Sequence, residues 1–421
     1  MSLAPSRSPP ARSEFALGWR ALLAAMIGVA CGASPLPFNS IGFFLGPLNA
    51  EFGWSFRDLS LGITVFGCVA AFLAPVYGSL ADRYGVRPVA LLSLAAFGLV
   101  FASFALTPDS LGGYYALWLL VGLVGIGSTP VTWSRAVNLW FFRNRGLALG
   151  IMLVGTSLAA MVVPRLSVWF ISDFGWRAAF PLLALLPLLV ALPIGIAWFR
   201  EPRPEERPPA LSDESGGTLL GLKLREALSG YRFWLIFGSI LCVAFAYGGA
   251  HFHMAEILKL QGFSRPQAAS LVGYLGLAIL CGRVLTGFLL DRIWAPLVTL
   301  PLLSLPAISC WLLASDGLTW PLAVFACVLL GLASGAESDL IAFLAGRYFG
   351  MAHYGKVYGM LYMPFGIASA ISPAAYGWVR DANGDYDAIL YVAMGLFVGG
   401  AVMLLGLGRY PDLRKQRTPG G

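Results

Sequence analysis

The sequence predicts an all-α membrane protein: twelve transmembrane helices in two pseudo-symmetric six-helix bundles. Composition, the spacing of the apolar runs and an internal repeat carry that prediction. Of 421 residues, 58% are hydrophobic and 12% charged, against about one-quarter charged in soluble globular domains; mean hydropathy is +0.76. A helix needs about twenty apolar residues to cross about 30 Å of hydrocarbon. Such windows fall at 18–46, 58–81, 88–107, 114–139, 146–171, 178–199, 231–255, 267–290, 296–314, 320–345, 357–379 and 388–408. They are continuously apolar, unlike the ten-residue alternations of a membrane β-barrel. The halves repeat at a period of 209 residues: GSLADR at 78 answers GFLLDR at 287, Gly53 and Ser55 answer Gly262 and Ser264, and GLVGIG at 122 answers GLASGA at 331. Such a repeat implies parallel bundles about an axis along the membrane normal, with a site at their junction.

The expected organisation is a disordered tail over 1–17, an N-terminal bundle over 18–199, a cytoplasmic linker over 200–230, a C-terminal bundle over 231–408 and a second tail over 409–421. Proline, glycine and mixed charge mark the linker, and LKLREAL near its end predicts a short surface helix. With the N-terminus inside, twenty of the 28 Lys and Arg fall in cytoplasmic segments, and only Arg57, Arg177, Lys259, Arg265 and Arg380 in outer loops. The positive-inside rule then puts both termini in the cytoplasm, of a plasma membrane or a bacterial inner membrane. The net charge of +7 is spread over short loops without a basic stripe, which argues against nucleic acid as a partner. The six cysteines are isolated in apolar segments, so neither a metal site nor a disulfide framework is indicated, and no cofactor is expected. No phosphate loop, HExxH or G-x-S-x-G elbow points to an enzyme. The expected partners are the lipid bilayer, a small-molecule substrate and protons, with the chain working as a monomer.

The loop GSLADRYGVRP, 78–88, has a degenerate copy, GFLLDRI, at 287–293. Gly78 lets a neighbouring helix backbone approach closely, Asp82 ends a helix where a cation can meet it, and Arg83 and Arg87 face the anionic inner leaflet. Positive-inside topology alone accounts for the arginines equally well, but not for aspartates at matched positions. The loop resembles that between the second and third helices of the major facilitator superfamily, and the chain resembles that family over essentially its whole length. The resemblance implies alternating access. It also implies a cytoplasmic gating set that latches the halves: Gly78, Asp82, Arg83, Gly85, Arg87, Gly287, Asp291 and Arg292.

Five charges fall in apolar cores: Arg135 in the fourth helix, Arg165 in the fifth, Arg283 in the eighth, and Glu337 and Asp339 in the tenth. The third, sixth, ninth and twelfth helices hold none. Each such charge costs at least about 2.5–3.5 kcal/mol near a helix centre. At about 1.5 Å per residue, Arg135 lies at a depth like that of Glu337 and Asp339, so the sequence predicts that it pairs with one of them in one state and separates in another. The two acids stand about 200° apart around the helix and cannot share one cavity face. The stripe Asp339, Phe343, Arg347 favours an Asp339–Arg347 network, leaving Glu337 with Ser334 and Ile341. Two readings of Glu337 stand: a carboxyl group that takes up and hands on the coupled proton, or a member of a permanent ion pair holding the halves together.

Arg283, in LAILCGRVLTGFLLDR, resembles the arginine of monocarboxylate and oxalate porters within that superfamily, which implies a role for it at the substrate carboxylate. A guanidinium offers a planar two-donor fork for such a group. The sequence departs from that branch at Ile279, where the animal porters carry an acid, and lacks lysines in the first and eleventh helices. Tyr358, Tyr362, Phe365, Ser369 and Ser372 run at helical spacing along the eleventh helix, as a pocket wall or as ordinary packing. Asn39 sits beside Pro35 and Pro37, in a broken or a merely kinked helix. Arg165 is an outer anion lure or a snorkelling side chain. His251 and His253, two apart, point to opposite faces, against a metal pair. The stretch GTSLAAMVVPRL lacks the glycine-proline motif of the family's drug/proton antiporters. The prediction is a secondary transporter importing a small organic anion with protons: a mono- or dicarboxylate, aromatic ones included. The rival readings are an exporter or exchanger of amphipathic or cationic compounds, and a non-transporting sensor of the same fold.

Overall fold

The computed structural model describes residues 14–208 and 219–412. The tails over 1–13 and 413–421, and the middle of the linker, 209–218, lie outside the described residues. Ten apolar helical stretches among the described residues are long enough to cross a membrane. One of them, Arg145–Trp198, is two helices joined at Gly175, whose φ of 77° breaks the helical path. The 30-residue helix Tyr354–Asn383 completes the twelve.

Helix α1 comprises Glu14–Ala30 and Pro35–Phe52, so residues 14–17 of the expected tail are helical; α2 is Phe56–Tyr84 and α3 Val86–Ala102. Helix α4 comprises Leu111–Gly125 and Pro130–Trp140; α5 and α6 share Arg145–Leu185 on either side of Gly175, and α6 runs on to end in Leu192–Trp198. In the second half, α7 is Tyr231–Leu260, α8 Arg265–Leu290, α9 Ala295–Leu313, α10 Trp320–Leu344, α11 Tyr354–Asn383 and α12 Asp387–Leu405.

The repeat is visible in the turns. Gly53, at φ 69°, ends α1, and Ser55 accepts from Asp58 N at 3.1 Å to start α2. At the matched places Gly262, at φ 89°, follows α7, and Ser264 N donates to Gln267 Oε1 at 2.9 Å to start α8. A left-handed glycine followed by a capping serine reverses the chain in both cases. Gly175 and Gly384, also 209 apart and at φ 77° and 87°, turn the chain between α5 and α6 and between α11 and α12 without a capping serine. The breaks in α1 and α4 support each other: Ala33 N donates to Ser128 Oγ at 3.0 Å, and Pro35 and Pro130 restart each helix where a missing N–H costs nothing.

The described chain begins and ends on one face, here the terminal face. There Glu14 accepts from Phe142 N and Asn144 N ahead of α5, and Tyr410 accepts from Ala295 N at the start of α9. The linker returns along the same face, with Leu222 N donating to Phe349 O at 2.8 Å and Met351 N to Leu220 O at 2.7 Å. Its short helix, Leu224–Ser229, stands where LKLREAL predicts one. The two halves meet along α2–α11 and α5–α8.

Candidate functional site

At the terminal face the end of α2 crosses the start of α11 so closely that a Cβ at Gly78 would overlap the backbone of Gly355, and one at Gly355 that of Gly78. Asp82, one turn further, accepts from Gly355 N at 2.9 Å and Lys356 N at 3.0 Å. Those are free donors at the positive end of α11, where an anion is favoured. Arg135 of α4 donates to the same carboxylate, and its Nε reaches Glu201 at 3.4 Å. The copy in the second half works in the opposite sense. Gly287 crosses Gly146 with no room for a side chain on either, and Asp291 accepts from Gly146 N at 2.6 Å and Leu147 N at 2.9 Å at the start of α5. Each aspartate thus caps a helix of the other half. The remaining motif residues act within their own half. Arg83 lies over the Tyr84 ring at 5.2 Å, Gly85, at φ 84°, turns α2 into α3, Arg87 donates to Ile196 O at 2.6 Å, and Arg292 donates to Phe288 O at 3.1 Å.

Arg135 is therefore not placed against Glu337 or Asp339. The second part of α4, beyond the break, carries it to the level of Asp82, and it meets the other half at Met351 O, 3.4 Å away. Asp339 pairs instead with Arg283, Nη1 to Oδ1 at 2.8 Å, with side chains 10% and 1% exposed. Nor does Arg347 join Asp339: it lies over the rings of Phe142 and Tyr410 at 5.2 and 4.6 Å.

Close helix packing explains the Arg283–Asp339 pair. A Cβ at Gly282, Gly331 or Gly335 would lie 2.5 Å from a carbonyl oxygen of the facing helix, so α8 and α10 touch along their backbones and an α10 carboxylate reaches Arg283 directly. Asp339 of α10 therefore stands beside Arg283 although α8 carries no acid at Ile279. From the other half, Gly150 of α5 faces the pair: a Cβ there would be 2.6 Å from Arg283 O and 3.4 Å from Asp339 Oδ2. The ion pair is thus buried at the junction of the bundles, where removing one partner alone costs about 3–5 kcal/mol.

Glu337, 4% exposed, also lies within the field of Arg283, but on a side of α10 about 200° from Asp339, where it has further neighbours of its own. Its charge acts on Tyr247 of α7 and Tyr362 of α11. Tyr247 also meets Ser334, and Tyr362 meets Ser34 in the break of α1. The α11 aromatics form a continuous ladder, with ring centroids 5.5 Å apart for Tyr354–Tyr358, 6.0 Å for Tyr358–Tyr362 and 5.2 Å for Tyr362–Phe365. Further along, Ser369 faces Gly248 of α7, and Ser372 donates to Phe245 O.

Other candidates are not brought to Arg283. Asn39 spends its amide on Pro35 O at 2.7 Å. Arg165 is exposed and stands fifteen residues beyond Gly150 on α5, about 22 Å along the axis at about 1.5 Å per residue. His251 meets the Tyr247 hydroxyl, whereas His253 bridges Pro373 O at 2.9 Å and Tyr386 at 3.0 Å. Among the described residues no cluster of three His, Cys, Asp or Glu side chains is placed to hold a metal. Three residues of these networks are missed by the sequence reading. Glu201 reads as linker, Arg145, buried at the start of α5, reads as a loop cation, and Tyr247 reads as one more apolar-run aromatic. The i, i+4 spacing of Tyr247 and His251 is the one cue that points to the last.

The profile of the Major Facilitator Superfamily matches residues 22–373. Monocarboxylate transporter 11 of Mus musculus is 26% identical over 413 residues, covering 93% of this chain and 88% of that protein. Monocarboxylate transporter 13 of Rattus norvegicus is 25% identical over 401 residues, covering 93% and 89%. Among solved structures, the human organic anion transporter MFSD10 superposes with a TM-score of 0.69 at 19% identity, covering 94% of this chain and all (100%) of that one. The proton:xylose symporter XylE superposes with a TM-score of 0.74 at 13% identity, covering 92% and 95%. At these identities the structural likeness establishes the fold alone.

Proposed function

The chain belongs to the Major Facilitator Superfamily, and on that premise we propose that it is a secondary transporter coupling proton entry to uptake of a small organic anion, a mono- or dicarboxylate, aromatic ones included. Its relatives are named monocarboxylate transporters, and the observation that carries the reading is the buried Arg283–Asp339 pair at the junction of the bundles. In the proposed orientation the terminal face is cytoplasmic, in the plasma membrane, and both latches there are shut, so substrate enters from outside. A substrate carboxylate competes with Asp339 for the guanidinium fork of Arg283. Asp339 releases Arg283 when it takes a proton, so anion and proton load together. Glu337, with Tyr247 and Tyr362, is the second proton site, and Tyr358 and Tyr362 form the wall beside the substrate. Asn39 holds the α1 break in shape, and Arg165 draws anions in at the opposite face. Bundles 18–199 and 231–408 then rock, Asp82 and Asp291 leave their helix ends, and the site opens inward. Arg135 belongs to this latch, and one chain suffices for the cycle.

The test is uptake of radiolabelled mono-, di- and aromatic carboxylates into proteoliposomes under an inward proton gradient. Arg283→Ala abolishes uptake in this account, while Asp339→Asn retains anion exchange and loses gradient-driven accumulation. Uptake that survives Arg283→Ala removes the carboxylate clamp and favours an exchanger of cationic or amphipathic compounds. Binding without movement by folded protein favours a sensor.

A further inference from the structure

Away from the bundle junction, the terminal ends of α1, α3, α4 and α6 and the first residues of the linker enclose a cleft of about 350 Å³. Its lining combines three arginines, Arg20, Arg87 and Arg200, with three tryptophans, Trp19, Trp140 and Trp198. The rings of Trp19 and Trp198 are 5.7 Å apart. Arg20 lies over Trp19 at 5.4 Å and Arg200 over Trp140 at 4.8 Å. The one carboxylate in the lining, Glu206, is taken up by both terminal nitrogens of Arg200, at 2.5 and 2.8 Å. Arg87 gives one nitrogen to Ile196 O. Arg20 is exposed, and among the described residues no carboxylate lies within ion-pair distance of it. The cleft therefore keeps an excess of positive charge.

What adjoins the cleft decides which anion fits. One turn and a half along α3 from Arg87 stands Leu92, 71% exposed, followed by exposed Leu99; on α6, Ile196 and Leu189 are exposed as well. Seven residues apart, Leu92 and Leu99 share one face of α3, and Leu189 and Ile196 one face of α6, so each helix that carries a cleft residue also carries an exposed apolar stripe along its length. Tryptophans mark the depth of the headgroups, and guanidinium forks match phosphate oxygens. A soluble anion would meet a cleft flanked by lipid, and a zwitterionic headgroup would bring a cation against surplus arginine.

We propose that this cleft is a binding site for an anionic phospholipid of the terminal-face leaflet, its phosphate between Arg20 and Arg87 and its acyl chains along α3 and α6. The site is independent of the substrate reading, since it shares no residue with Arg283, Asp339 or Glu337.

The test uses the purified full-length protein in detergent, supplied with equal phosphatidylglycerol and phosphatidylcholine and examined by native mass spectrometry. Phosphatidylglycerol is expected to be retained several-fold over phosphatidylcholine, and Arg20→Gln with Arg87→Gln to bring the ratio to one. Arg87 also ties α6, so Arg20→Glu, at an exposed position, is the second variant, with the same expected loss of preference. Excess glycerol 3-phosphate should leave the retained lipid in place. Equal retention of the two lipids by the wild type, or an unchanged preference in both variants, overturns the proposal. Displacement by glycerol 3-phosphate overturns it in favour of a soluble phosphate ligand.

Discussion

Asp82 and Asp291 stand 209 residues apart and make the same pair of backbone hydrogen bonds to a helix of the opposite half, yet they are held by different surroundings. Arg135, itself held by Glu201, pairs with Asp82, whereas the positions that repeat Arg135 and Glu201 are Leu344 and Tyr410. The buried charge pair is one-sided too: the repeat places Ala74 opposite Arg283 and Pro130 opposite Asp339, while Gly359 answers Gly150 and keeps the same close crossing. The duplicated part is the backbone framework of glycines and capping aspartates that lets the halves close. The unique part is the charge, clamping the latch in the first half and meeting the proposed substrate in the second.

The shared framework is broken most severely at its crossings. Gly78→Val and Gly287→Val each put a side chain where the facing backbone lies, so both should prevent closure of the terminal face. Uptake is expected to fall at least about tenfold, the effect of only ~1.4 kcal/mol. Spin-label distances across α2–α11 and α5–α8 should lengthen in folded protein. Wild-type distances in either variant would contradict the symmetric latch.

Arg135→Ala probes the asymmetry next. It leaves Asp82 buried without its cation, a loss of about 3–5 kcal/mol for a broken buried pair, and the α2–α11 distances should shift to the open population while α5–α8 responds less. An equal response at both crossings would show that the two latches move as one.

Asp291→Asn should be milder, within about tenfold in closed-state population, the worth of one pKa unit. Burial holds the Asp291 carboxyl above the ordinary carboxylate range, against its two backbone N–H bonds and the charge of Arg145. A raised value in the closed state means that this residue's contribution to closure is full below the ordinary carboxylate value and is lost as pH rises through the raised one. The α5–α8 distance of the wild type should therefore lengthen over that window, and Asp291→Asn should flatten the dependence. Opening of α5–α8 by Asp291→Asn at every pH would refute this reading.

The smallest effect belongs to Glu206, whose value is pulled down to about 2 by its bonds to Arg200. Its contribution is present above the ordinary carboxylate range and lost only as pH falls toward 2. Exposed pairs are worth about 0–1 kcal/mol, so Glu206→Gln should leave the thermal midpoint and the uptake rate near wild type at neutral pH. A marked loss of uptake would give the linker stem a role in the cycle.

Much of the fold is legible because a bilayer demands it. Windows of twenty apolar residues, a repeat at 209 and capping signals such as Gly53–Ser55 suffice to place twelve helices. The break at 31–34 is half legible, since Pro35 and Pro37 point to a broken or a kinked helix, whereas that at 126–129 is not, because the two breaks are stabilised by each other through Ser128. The site divides in the same way. Arg283, Glu337 and Asp339 stand out because charge inside hydrocarbon is costly, and Asp82 and Asp291 because they repeat. Their partners do not stand out. Equal depth suggests Arg135 for Asp339, but depth says nothing about which helices touch, and it is Gly282, Gly331 and Gly335 that bring α10 onto α8. Arg135 goes to Asp82 because the restart of α4 after its break sets its final turns against the end of α2.

The central claim, that the carboxylate takes Arg283 as Asp339 takes a proton, is tested most directly by measuring substrate and proton entry together. Proteoliposomes containing an internal pH dye, with or without unlabelled substrate inside for exchange, and no imposed gradient would be given an external carboxylate identified as transported. The account predicts that substrate entry acidifies the lumen in the wild type and that Asp339→Asn carries substrate in exchange mode with no net proton movement. Acidification by Asp339→Asn equal to that of the wild type would contradict it, leaving the Arg283–Asp339 pair as a structural tie between α8 and α10.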